Sequence, residues 1–81
     1  MTVVTLYGKP GCCLCDEARA EIDAVRAERD FELREVDVSV DPALNRDYGE
    51  RIPVVEVDGE EAFELRVTAA ELLRAVDRVG A

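Results

Sequence analysis

The segment Lys9 to Ala18 reads KPGCCLCDEA and holds all three cysteines of the chain within four positions. Cys12 and Cys15 stand in C-x-x-C spacing, with Cys13 between them. Sulfur gathered in this way can bind a metal, staple the chain, pack as a small apolar group or cycle between dithiol and disulfide. Structural zinc takes four ligands and commonly uses two thiolate pairs. Here there is one pair, one extra cysteine and no histidine, so a closed zinc or iron–sulfur site would need a carboxylate or a second subunit. No metal is expected. A Cys12–Cys15 staple would close almost no loop, and disulfide stabilisation grows with loop length. Accidental packing suits a lone buried cysteine better than three beside Pro10 and Gly11.

A redox couple accounts for the spacing best. A cysteine at or just before a helix start faces unpaired backbone N–H groups, and these favour a thiolate over a thiol. Cys15 lies about one turn further on, where its sulfur can fold back toward that of Cys12. Cys12 would attack a disulfide, and Cys15 would resolve the mixed disulfide that forms. Lys9, the only lysine, could add positive charge, while Asp16 and Glu17 oppose it. Cys13 is read as a bystander.

These sulfurs need a strand–helix junction to hold them. Thr2 to Gly8 (TVVTLYG) is β-branched and apolar without clean alternation, as in a strand buried on both faces. Leu14, Ala18, Ile22 and Val25 then recur at helical spacing and predict a helix from about Cys13 to Arg29. Phe31 to Val40 predicts a second strand whose alternation slips between Leu33 and Val36, through a bulge or two-sided burial. Asp41 as N-cap, Pro42 at the first helical position and Gly49 as terminator frame a short helix. Asp58-Gly59 is a two-residue hairpin turn. Phe63, Leu65 and Val67 alternate on the returning strand. Thr68 with Glu71 reads as a capping box before a helix lined by Leu72, Val76 and Val79 and ended by Gly80.

The order β-α-β-α-β-β-α predicts an α/β fold with a mixed four-stranded sheet and helices on both faces. No repeat or linker divides the 81 residues, so they are read as a single domain, 1–81. A net charge of −9 argues against nucleic acid or anionic membrane as a partner. No run of about 18 apolar residues predicts a membrane span, and no basic-then-apolar leader opens the chain, so a cytoplasmic location is expected. The absence of histidine excludes Ser-His and Cys-His nucleophiles.

LYGKPGCCLCDEA together with RIPVVEVDGEE resembles the glutaredoxin-like proteins of the thioredoxin-fold superfamily, a group of short bacterial chains. The resemblance runs over nearly the whole sequence. It implies a thioredoxin-like fold and a thiol–disulfide oxidoreductase with Cys12 as nucleophile and Cys15 as resolving thiol. It also implies a cis Ile52–Pro53 bond facing the cysteines. Ile52 and Pro53, with Lys9, would then bind substrate: Pro53 has no N–H for a ladder, and the Ile52 backbone is left to pair with an extended disulfide-bearing segment.

The chain departs from glutathione-dependent glutaredoxins at Cys13-Leu14, where those carry Pro-Tyr. It departs again at Arg66-Val67-Thr68-Ala69, where those carry Gly-Gly and an acidic residue. No bound cofactor is expected, and glutathione stays open as a co-substrate beside other thiol donors. The expected partners are a disulfide-containing protein or small thiol and a reductase, acting on a monomer. Two rivals stand beside this reading: a thioredoxin-fold adaptor without turnover, and an iron–sulfur or metal carrier formed across a dimer.

Overall fold

The computed structural model describes residues 2–80. In chain order its elements are β1 (Val3–Gly8), α1 (Cys13–Arg26), β2 (Glu32–Asp37), a 3₁₀ turn (Val38–Val40), α2 (Pro42–Tyr48), β3 (Val54–Val57), β4 (Glu60–Glu64) and α3 (Ala69–Gly80). The strands form one mixed sheet in the order β2-β1-β3-β4. β1 runs parallel to β2, with Val3 opposite Glu32 and Gly8 opposite Asp37. It runs antiparallel to β3, which pairs antiparallel with β4. α1 is the crossover that joins the parallel pair.

Side chains alternate along β1, and that alternation sorts the core into two parts. Val4 and Leu6 pack with Ala18, Ile22 and Val25 of α1 and with Leu72 and Val76 of α3. Ile22 and Leu72 are wholly buried, a burial worth about 1.5–3 kcal/mol for each such side chain. Tyr7 points to the other face and packs with Leu44 and Tyr48 of α2 around Val38 and Ile52. Helices therefore cover both faces, α1 and α3 on one and α2 on the other, as expected.

Local chemistry sets the ends of the elements. The Asp41 carboxylate accepts the Ala43 N–H at 2.9 Å, and Pro42 takes the first helical position. Asp58 and Gly59 both have positive φ, 52° and 84°, as a two-residue hairpin turn of the I′ kind requires. Thr68 Oγ1 accepts the Glu71 N–H at 3.2 Å. The Glu71 carboxylate in turn accepts the Thr68 hydroxyl at 2.9 Å, so it meets the side chain rather than the backbone amide of a full capping box.

Four expectations need correction. α1 ends at Arg26, not Arg29: the Glu28 and Arg29 N–H groups both donate to Val25 O at 2.9 Å, tightening the chain so that Phe31 drops into the core. The second strand spans Glu32–Asp37 rather than Phe31–Val40. Its slipped alternation is two-sided burial: in an unbroken register with β1, Leu33 lies beside Val4 on the α1–α3 face and Val36 beside Tyr7 on the α2 face. Asp37 accepts the Ser39 N–H at 2.8 Å and nucleates a 3₁₀ turn that carries Val38 inward and leaves Val40 exposed. Leu65 does not continue β4; its φ is +68° and its side chain is 45% exposed. Val79 is 42% exposed, so the buried stripe of α3 stops at Val76.

Candidate functional site: a paired thiol at a helix start

Cys12 is the N-cap of α1, with extended backbone (φ −89°, ψ 112°). Its sulfur stands where a capping oxygen normally does and accepts the Cys15 N–H at 3.3 Å. Its carbonyl accepts the Asp16 N–H at 3.1 Å and starts the helical ladder. Cys12 is half-buried, Cys13 exposed and Cys15 buried; all three are free thiols.

The helical turn that caps on Cys12 carries Cys15 inward, beneath it. There Cys15 meets Val38 and Ile52, and Cys12, Tyr7, Leu44 and Tyr48 pack around the same cluster. Burial pushes the Cys15 thiol up to about 11, and hydrogen bonding with Cys12 and the charges of Cys12 and Asp16 add to the rise; the Lys9 backbone opposes it. The pair is thus asymmetric: one sulfur is open to an incoming group, and the other is held protonated below it. Such a pair can close a short disulfide or hold a mixed one.

Ile52 and Pro53 are buried, and the bond between them is cis. The fold therefore brings Ile52 to the two cysteines from a loop forty residues away in sequence. Lys9 is exposed in the turn before Cys12. Its side chain borders a cleft of about 380 Å³ on the α1–β2 side of Cys15, along with Asp16, Arg19, Glu35 and Asp37. Arg66 lies elsewhere, on a groove with Leu14 and Glu17.

Four residues that the sequence reading did not single out also shape the site. Gly8 ends β1 directly against Cys15: a Cβ built on Gly8 would lie 2.9 Å from its Sγ. Tyr7 and Tyr48 stack with ring centroids 4.4 Å apart, and the Tyr7 hydroxyl donates to Glu56 at 2.9 Å. Arg51 lies over the Tyr48 ring at 5.3 Å, pairs with Glu61 and Glu64 of β4 and donates to Asp47 O at 3.1 Å. Only Gly8 carried a local signal, as the small residue between a strand and the cysteine turn.

The chain is similar to known proteins in sequence and fold. An uncharacterized protein of Mycobacterium tuberculosis, Rv0508, is 32% identical over 63 residues, 72% of this chain and 65% of that protein. The chain thus spans a little under two thirds of the length of the curated relatives it matches. The X-ray structure of structural-genomics target XcR50 from X. campestris superposes with a TM-score of 0.80 at 29% identity, over 93% of this chain and 96% of that one. Chloroplastic thioredoxin z shares the fold alone, at 17% identity and a TM-score of 0.78 over 99% of this chain and 79% of its own. The fold is thioredoxin-like. A model of the glutaredoxin-like domain (DUF836) matches residues 3–77, and the chain belongs to that family.

Proposed function

We propose that this protein is a thiol–disulfide oxidoreductase in which Cys12 attacks and Cys15 resolves. The observation that carries the reading is the asymmetry of the pair. The Cys12 sulfur is half-exposed and receives a helix-start N–H at 3.3 Å, while Cys15 is 4% exposed beneath it. A thiolate at a helix N-terminus is stabilised by those amides, and a protected second thiol one turn away is what a resolving step needs.

The reaction balances as two exchanges. Cys12 thiolate attacks a substrate disulfide, forms a Cys12–substrate bond and expels one substrate sulfur as thiolate, which takes up a proton. Cys15, losing its proton, then attacks the Cys12 sulfur and expels the second substrate thiol. Substrate gains two electrons, and the protein is left with a Cys12–Cys15 disulfide. A thiol donor or reductase returns it to the dithiol. Ile52, packed in one cluster with the two cysteines, the adjoining Pro53, and Lys9 in the exposed turn before Cys12 are proposed to seat the substrate, a protein disulfide or a small one. A cytoplasmic setting, where thiols are kept reduced, suits this cycling. Glutathione is the weaker candidate for donor. Arg66-Val67-Thr68-Ala69 stands where glutathione-dependent glutaredoxins carry Gly-Gly and an acidic residue, so no acidic side chain is there to hold its amino end.

The test is reduction of insulin or a small chromogenic disulfide. Cys12→Ser should abolish it, and Cys15→Ser should accumulate a mixed disulfide visible by mass spectrometry. Full activity in Cys12→Ser would overturn the assignment. A chain in which neither thiol turns over would be an adaptor.

A further inference from the structure

Cys15 has two kinds of surroundings. On one side lie Val38, Ile52 and the Tyr7–Tyr48 stack; Tyr7, pushed up to about 12 by burial and by Glu56, stays protonated across the working range. On the other side is the cleft of about 380 Å³, whose charged groups are Lys9, Asp16, Arg19, Glu35 and Asp37. A polar cavity of this size admits water, so the proton that Cys15 must lose in resolution has its exit there.

The three carboxylates of the cleft are not equivalent. Glu35 is held by Arg19 at 2.6 Å. Asp37 accepts both the N–H and the hydroxyl of Ser39, at 2.8 and 2.6 Å, and those bonds hold it below the ordinary carboxylate range. Among the described residues, no hydrogen bond or ion pair engages the Asp16 carboxylate. Asp16 directly follows Cys15 in the first turn of α1, and its charge bears on that thiol.

We propose that Asp16 accepts, through water in this cleft, the proton that Cys15 gives up when it resolves the mixed disulfide; the inference rests on the redox reading above. In that step the Cys15 S–H bond breaks and its proton passes by way of water to the Asp16 carboxylate. The sulfur's electron pair forms the bond to Cys12 Sγ. The bond from Cys12 to the substrate sulfur breaks, and the substrate leaves as a thiolate that collects the proton. In this step Cys15 is oxidised and the departing substrate sulfur is reduced, while the Cys12 sulfur passes from one disulfide to the other, with no further reagent.

Charge alone and proton acceptance have opposite signs here, which makes the role measurable. A fixed negative charge beside a thiol disfavours the thiolate, so its removal by itself would speed Cys15. Loss of a proton acceptor slows it, by factors that for general bases reach about 10²–10⁴.

The experiment is stopped-flow reaction of the Cys13→Ser protein with an aromatic disulfide that releases a coloured thiolate, from pH 6 to 9. The first equivalent reports attack by Cys12, and the second reports resolution by Cys15. Asp16→Asn and Asp16→Ser should each lower the ratio of second to first rate at least about tenfold at pH 7 and make the second rate climb steeply with pH. Asp16→Glu should recover much of the loss. An equal or faster second phase in Asp16→Asn overturns the role of Asp16 and leaves the redox reading standing. Release of a single equivalent by the parent protein overturns the redox reading and this inference with it.

Discussion

The backbone of Gly8 and the sulfur of Cys15 are in direct contact: a Cβ on Gly8 would fall 2.9 Å from Sγ and 3.2 Å from the Cys15 Cβ. Gly8 sits in register with Asp37 on the parallel neighbour, so β1 cannot retreat. Cys15 is one turn inside α1, so its short side chain cannot swing clear without moving the helix. Gly8→Ala is therefore an overpacking change. It should destabilise the fold by about 1–3 kcal/mol, read as a lower urea midpoint, and slow disulfide closure more than attack by Cys12. An unchanged midpoint would show that the helix start is softer than this contact requires.

Features that depend on neighbours in sequence were legible before the structure. The C-x-x-C pair at a helix start, the Asp41-Pro42 entry to α2 and the Asp58-Gly59 turn each follow from backbone chemistry within four residues. Contacts across the chain were not. Tyr7 and Tyr48 stack from 41 residues apart, and nothing in YGKPG or RDYGE announces it. Leu65 misled for a physical reason: with Phe63 and Val67 it continues a two-residue period, yet its N–H turns back to donate to Pro53 O at 2.8 Å. That bond draws the chain through a left-handed conformation that no hydrophobic pattern records. The slip in β2 was visible and is the two-sided burial that was one of its two readings; what the pattern did not record is where the strand stops, at an Asp37 carboxylate that accepts the Ser39 N–H in competition with the ladder.

Cys15 should resist alkylation while Cys13 and Cys12 react. Raising a thiol from about 9 to about 11 removes roughly a hundredfold of its thiolate at neutral pH, and burial restricts the reagent further. Iodoacetamide at pH 7.5, followed by peptide mass spectrometry, should label Cys15 at least about a hundredfold more slowly than in urea. Comparable labelling of all three in the native state would contradict the asymmetry on which the site depends.

The same thiol links stability to alkaline pH. Its folded value lies above its unfolded one, so in this range the unfolded chain binds fewer protons than the native one and stability falls as pH rises. The Cys15 contribution is complete below about pH 9 and is lost on the way to about 11. Urea midpoints for the parent should drop over that window more steeply than those for Cys15→Ala. Parallel curves would place the Cys15 thiol in a wetter setting than its 4% exposure indicates.

Arg51 fastens α2 to the far edge of the sheet. One guanidinium joins Glu61 and Glu64 of β4, the face of Tyr48 and the Asp47 carbonyl. These groups are half-exposed, and exposed ion pairs contribute little each; the cation–π contact and the carbonyl bond add to them. Arg51→Ala should lower the urea midpoint less than Gly8→Ala does. It should also speed amide exchange at Gly49, whose N–H closes α2 on Asn45 O at 2.8 Å. The ion-pair part should shrink in 1 M salt, where screening reaches about 3 Å. Unaltered exchange in α2 would mean that Leu44 and Tyr48 anchor the helix unaided.

Tyr7 offers a check on the packing around the pair. Burial is the larger cause of its rise to about 12, and the accepted hydrogen bond and charge of Glu56 come next. Glu56→Gln removes the charge but leaves the ring stacked on Tyr48 at the edge of the cysteine cluster. The Tyr7 phenol should then ionise at lower pH than in the parent, yet still above the ordinary value of about 10, because the desolvation remains. Absorbance titration at 295 nm in a Tyr48→Phe background isolates Tyr7, since the chain has two tyrosines. A fall all the way to 10 would assign the whole shift to Glu56 and leave the ring solvated. In that case the face of the site opposite the Asp16 cleft would admit water too, and Cys15 would have a second way to lose its proton.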